Sequence, residues 1–126
     1  MITDRQIEDA KLTTKFAHEE PKHEHNDCIR IAYEWLDAQI KTKNVTTKAL
    51  PLKHIIEKWG GRYVSQSDVE VAATLHPDIF GDYPYYNING NLTAPSDRRL
   101  EGISEAYTQQ QRNYYDSSTY KFKENS

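Results

Sequence analysis

The segment Pro51–His76, PLKHIIEKWGGRYVSQSDVEVAATLH, decides the fold. Pro51 suits the first turn of a helix, where a missing N–H costs nothing. Leu52, Ile55, Ile56 and Trp59 follow at helical spacing and form one apolar face. Gly60-Gly61 then stops the helix in the manner of a left-handed C-cap. Arg62-Tyr63-Val64 reads as a short extended link. Ser65 opens a second helix, with Asp68 three residues later as a capping partner and Val69, Ala72, Ala73 and Leu75 on its inner side. His76-Pro77 closes it. Two short helices across this spacing make a helix-turn-helix-like core.

Upstream lies the strongest amphipathic pattern in the chain. Cys28, Ile31, Ala32, Trp35, Leu36 and Ile40 keep one face apolar, while Arg30, Glu34 and Asp37 fall on the other. Asn26 or Asp27 is placed to cap this helix, which is expected to be the central one. Lys41–Ala49 is polar and Thr-rich, a loop. Nearer the N-terminus, Thr3 and Gln6 form a capping box, with Ile2 and Ile7 at the spacing of a hydrophobic staple. Ile7, Ala10, Thr14 and Ala17, widened by Leu12 and Phe16, give only a thin stripe. Residues 1–20 therefore read as a helical arm packed on the body, and Pro21 ends the region.

Downstream, Pro77, Pro84 and Pro95 interrupt the helical pattern. Asn89-Gly90 between apolar residues predicts a β-hairpin with a three-residue loop, Asn89–Asn91, pairing Ile88 with Leu92; a short helical turn is the competing reading. Ser96-Asp97 caps a last short helix with Leu100, Ile103 and Tyr107 inside. The core domain is thus expected to span residues 26–107. Residues 108–126 carry Gln109-Gln110-Gln111, Asn113, Ser117 and Ser118 and form a polar tail, either free or docked through Tyr114, Tyr115, Tyr120 and Phe122. The expected fold is mainly α: a small helical domain with a helix-turn-helix-like core and a short hairpin, in the order of a winged helix, with an N-terminal arm and a C-terminal tail.

Composition bounds the function. The chain has 126 residues with 37% hydrophobic and 28% charged, which supports one modest core and not two domains. No run approaches the roughly 18 apolar residues of a membrane span, so no membrane partner is expected. The N-terminus lacks the apolar stretch of a signal peptide. Cys28, the single cysteine, cannot form an internal disulfide, which points to a reducing compartment, the cytoplasm. The net charge of −3 conceals a pattern: residues 41–62 carry six Lys/Arg against Glu57 alone, between two acidic flanks. Lys41, Lys43, Lys48, Lys53, Lys58 and Arg62, with Gln66 beyond them, are candidates for contact with phosphate or with an acidic protein surface.

Other constellations are weaker. His18, His23, His25 and Cys28 carry zinc-ligand chemistry but match no zinc module, and Cys28 fits the buried helix stripe. No nucleophile, base and orienting group converge, no phosphate loop follows Gly60-Gly61, and no cofactor is called for. Eight of the nine tyrosines lie from Tyr63 onward. Tyrosine gives large contact area with a polar tip, so Tyr83, Tyr85, Tyr86, Tyr114, Tyr115 and Tyr120 are candidate partner anchors.

The residues therefore predict a non-enzymatic interaction protein. It would engage a protein or nucleoprotein target through its tyrosines and basic island, as an accessory protein of a phage or mobile element blocking a host defence complex would. A winged-helix DNA regulator, acting as a homodimer, is the main alternative, and a small zinc protein a third. Against DNA reading, the second helix of the pair offers Gln66, Ser67, Asp68, Glu70, Thr74 and His76 but no Lys or Arg.

Overall fold

The computed structural model describes residues 1–125; Ser126, the last residue of the expected tail, lies outside them. The described residues form a small mainly-α domain of four α-helices with two small two-stranded sheets. Among the described residues no helix is long and apolar enough to cross a membrane.

Helix α1 spans Asp4–Thr13 and begins at the expected capping box. The Thr3 hydroxyl accepts from Gln6 N at 3.1 Å, and Thr3 N donates to the Gln6 side chain at 2.8 Å. Ile7 and Ala10 alone are buried, whereas Leu12 points into solvent. The helix stops at Thr13, so the stripe never extends to Ala17.

Helix α2 spans Asn26–Asp37 and buries Cys28, Ile29, Ile31, Ala32, Trp35 and Leu36 completely. Its cap is His25, one residue before the expected pair: His25 Nδ1 accepts from Asp27 N at 2.9 Å. Asp27 is freed to face inward, where Arg30, the Ser104 hydroxyl and Glu105 N all donate to it. Burial pushes its carboxyl up, but the Ser104 and Arg30 hydrogen bonds outweigh burial and hold it below the usual range. The helix ends before Ile40, which is exposed. Buried Gln39 explains the stop: its amide donates to Trp35 O and Thr93 O and accepts from Thr93 N, tying the helix end to a distant strand.

Helix α3 spans Leu52–Gly60 and buries Leu52, Ile56 and Trp59. Gly61 takes the expected left-handed conformation at φ +66°. Gly60 is required by packing, since a Cβ there would lie 2.5 Å from Ile31 Cγ2 of α2. Helix α4, Gln66–Leu75, starts at Ser65, whose hydroxyl accepts from Asp68 N at 3.1 Å. As expected, α2 is the central helix, since it packs on α1, α3 and α4, but α4 is also deeply set, with every residue from Ser67 to Ala73 buried. It packs most extensively on α2, and α1 crosses it as well. Residues 17–24, the first four of which were expected in the helical arm, lie over α4 as a strap whose Ala17, Lys22 and Glu24 amides donate to Glu70, Ser67 and Asp68.

The hairpin is displaced from its expected place. Strands β1 (Gly81–Asp82) and β2 (Tyr85–Tyr86) pair antiparallel around Tyr83 and Pro84, joined by a cis peptide bond. At Asn89–Asn91 there is a turn, with Asn91 N donating to the Asn89 side chain. Ile88 bridges to Lys41 and not to Leu92, because residues 86–89 are drawn against the 40–46 loop. The helix expected after Ser96 is a 3₁₀ turn, Asp97–Leu100, capped by Ser96, and two more such turns follow at Gln111–Tyr114 and Ser117–Thr119. Leu100 and Ile103 are buried, but Tyr107, expected inside, is half exposed.

The C-terminal segment is docked. Tyr107 N and Gln109 N donate to Gly60 O and Gly61 O, taking over the carbonyls that end α3. Arg112 donates to Trp59 O at 2.6 Å, and Trp35 Nε1 donates to the Tyr120 hydroxyl at 3.0 Å. Strand β4 (Phe122–Lys123) pairs parallel with β3 (Thr93–Ala94). Arg99 then clamps Glu124 through both carboxylate oxygens, and this contact holds the Glu124 carboxyl below its usual range. Deleting residues 112–126 removes Arg112, Tyr120, β4 and Glu124, leaving the Trp35 N–H and the Trp59 carbonyl without these partners. The deletion is expected to cost roughly 3 kcal/mol or more in denaturant unfolding. Unchanged unfolding would show that the segment contributes nothing.

Candidate interaction surfaces

Of the six tyrosines singled out as anchors, the fold uses four for itself. Tyr86 is buried, and burial pushes its hydroxyl well above the usual range. Tyr83 packs edge-on against it, and its hydroxyl accepts from Lys53 N at 3.0 Å, supplying α3 with the cap that Pro51 cannot. Tyr115 and Tyr120 stack, and burial pushes the Tyr120 hydroxyl up to about 12. Tyr85 and Tyr114 remain open to solvent at 41% and 69%.

The basic island does not form one patch. Lys41 donates to Asp37 O, and burial lowers its pKa. Lys53 pairs with Glu57 at 2.9 Å and lies over the Tyr63 ring. Arg62 is buried between Glu105 and Glu24. Gln66 turns toward Glu70 of its own helix. Lys43, Lys48 and Lys58 make no ion pair among the described residues. Lys58 lies beside Asp116 on α3, away from the other two, which sit on the 41–49 loop.

The histidine–cysteine set is also dispersed. His25 caps α2, and His23 lies 2.9 Å from the Asp68 carboxylate. His18 is exposed on the strap. Cys28 is sealed in the core, its thiol donating to Tyr63 O and pushed up to about 12 by burial. Among the described residues, no three His, Cys, Asp or Glu side chains gather as a metal set.

One surface is built in a way the sequence did not announce, around buried Asn87. Its Oδ1 accepts from Phe80 N at 2.7 Å, and its Nδ2 donates to Asp78 O at 2.9 Å and to Thr42 O at 3.4 Å. Its backbone N donates to Phe80 O, and its carbonyl accepts from Thr42 N. Thr46 N donates to Tyr86 O in the same ladder. One side chain thus joins the 42–46 loop, the 78–82 segment and β2. His76 anchors the start of this platform. Asp78 N donates to His76 Nδ1, which places the ring proton on Nε2, 2.8 Å from Asp37 Oδ1. Burial pushes the Asp37 carboxyl up, but His76 and Arg99 outweigh it and hold the group below its usual range.

Three large apolar side chains stand on this platform in water: Val45 at 42%, Phe80 at 52% and Tyr85 at 41% exposure. Val45 leans over Gly81, its Cγ1 3.0 Å from where a Cβ would sit. Lys43 and Lys48 flank it, with the Lys48 stem against Gly90. Val45 and Phe80 escaped sequence reasoning; both lie in segments that carry no regular helical or alternating pattern.

Asn87→Ala is expected to destabilise the chain by about 1–3 kcal/mol, because three backbone groups on two segments lose the buried partner that joins them. The Phe80 amide should exchange with solvent faster in that variant. Wild-type stability and exchange would contradict the role given to Asn87. Compared with known proteins, the chain matches no family model, no curated protein and no solved structure, so the geometry of these surfaces carries the functional reading.

Proposed function

We propose that the protein is a non-enzymatic binding module that engages a protein or nucleoprotein target through the hairpin platform. Val45, Phe80 and Tyr85 are the anchors, and Lys43 and Lys48 form a basic rim. The observation that carries this reading is that large apolar side chains are left in water on segments that Asn87 and the Thr42 and Thr46 amides tie together. Exposed apolar groups on a preorganised support lose little freedom on docking, which favours binding. The complementary partner has an apolar pocket with an acidic edge. A small protein with such a face acts by occupying part of a larger machine, and blockade of a host complex is one use of it.

A winged-helix DNA regulator is the alternative reading, and the placement of α4 counts against it. A reading helix must lie open along one face to enter a groove. Here Ser67, Asp68 and Glu70 are buried beneath the strap. Of the basic residues expected to hold phosphate, Lys53 and Arg62 already have carboxylate partners.

The test is affinity capture from the native host with wild type and a Phe80→Ser, Tyr85→Ala double variant, before and after nuclease treatment. Both residues are exposed, so the variant should unfold within about 0.5 kcal/mol per site of wild type. Its captured partner should fall roughly tenfold or more, as expected for aromatic anchors. A partner retained equally by both proteins would refute the hairpin platform as the docking face. A partner lost on nuclease treatment would make the target nucleic acid.

A further inference from the structure

A groove of about 490 Å³ runs between residues 94–98 and the docked C-terminal segment. That is the size of a small-ligand site, and it shares no residue with the hairpin platform. Its lining holds four cations, Arg98, Arg112, Lys121 and Lys123, against two carboxylates, both in ion pairs: Asp97 with Arg112 at 2.9 Å, and Glu124 with Arg99, which Glu34 and Asp37 share. Arg98, Lys121 and Lys123 are exposed and make no ion pair among the described residues. The groove therefore carries an unbalanced positive charge in a chain whose net charge is −3. It also carries an exposed ring, Phe122, at 47%. The wall behind is rigid, because the Arg112 guanidinium stacks 4.4 Å from the Tyr115 ring centroid while donating to Trp59 O.

Unpaired cations beside an open aromatic face fit a ligand that joins multiple negative charges to a flat ring. We propose that this groove binds a nucleotide, its phosphate held by Arg98, Lys121 and Lys123 and its base against Phe122. The nucleotide is either free or part of a single strand. The inference stands apart from the docking role of the hairpin, and Lys121-Phe122-Lys123 is its centre.

The experiment titrates the full chain with ADP, with an oligothymidine of about ten nucleotides, and with a polyglutamate peptide of matched charge. Nucleotide probes should bind at least tenfold more tightly than polyglutamate. Lys121→Glu with Lys123→Glu should weaken them tenfold or more and flatten the salt dependence. Phe122→Ala should weaken them several-fold at unchanged salt dependence, while Phe122→Tyr, which keeps the ring, should bind like wild type. Tighter binding of the oligothymidine assigns the groove to a single strand, and comparable binding of ADP assigns it to a free nucleotide; both uphold it. Polyglutamate binding as well as the nucleotides, wild-type binding by Phe122→Ala in a folded protein, or no binding of any probe would overturn it.

Discussion

The rest of the structure depends on how α4 satisfies its polar residues while buried on nearly every side. Ser67, Asp68 and Glu70 occupy a face that no other helix covers, and a buried polar group without a partner is costly. The strap has the reciprocal problem, because its irregular backbone leaves N–H groups with no ladder to join. Each answers the other. Ala17 N donates to Glu70, Lys22 N to Ser67 and Glu24 N to Asp68, while the Ser65 hydroxyl donates to Lys22 O. His23 completes the site against Asp68, with Phe16 packed on its ring. With the strap in place, α1 reaches α4, and His25 arrives where it can cap α2.

This arrangement redirects the functional reading. The carboxylates of α4, which in a groove-reading helix would repel phosphate, are the strap's acceptors. The surfaces proposed for binding lie elsewhere: the platform that Asn87 builds from the 42–46 loop and residues 78–86, and the groove closed by the last strand. Both combine loops with two-residue strands, and both are fixed by side chains that bond to main-chain groups. Asn87, Gln39 and Arg112 do for these segments what helical and ladder hydrogen bonds do elsewhere.

Much of the helical frame was legible from local pattern. The Thr3–Gln6 box, Gly60-Gly61 and Ser65 each act within one turn of chain, so their signals survive folding. What failed was non-local. Ile40 fits the α2 period, but Gln39 is claimed by Thr93 far along the chain. Asn89-Gly90 is a sound hairpin signal, yet Asn89 N is taken by Ile40 O and the pairing goes to another segment. Tyr120 lies in a polar stretch, and the buried indole of Trp35 and the Tyr115 ring give it a place. The basic residues adjoin one another in sequence, but a loop, a helix and a turn distribute them over separate surfaces. The candidate anchors were legible as a residue type and not as positions, since neighbouring Tyr85 and Tyr86 face opposite environments.

Amide hydrogen exchange on the strap tests the central claim most directly. In the wild-type chain the amides of Ala17, Lys22 and Glu24 are expected to be protected, with the Glu24 amide losing protection in Asp68→Ala as its acceptor is removed. Exchange of all three at the rate of unstructured chain in the wild type would contradict the account and leave the polar face of α4 open to solvent.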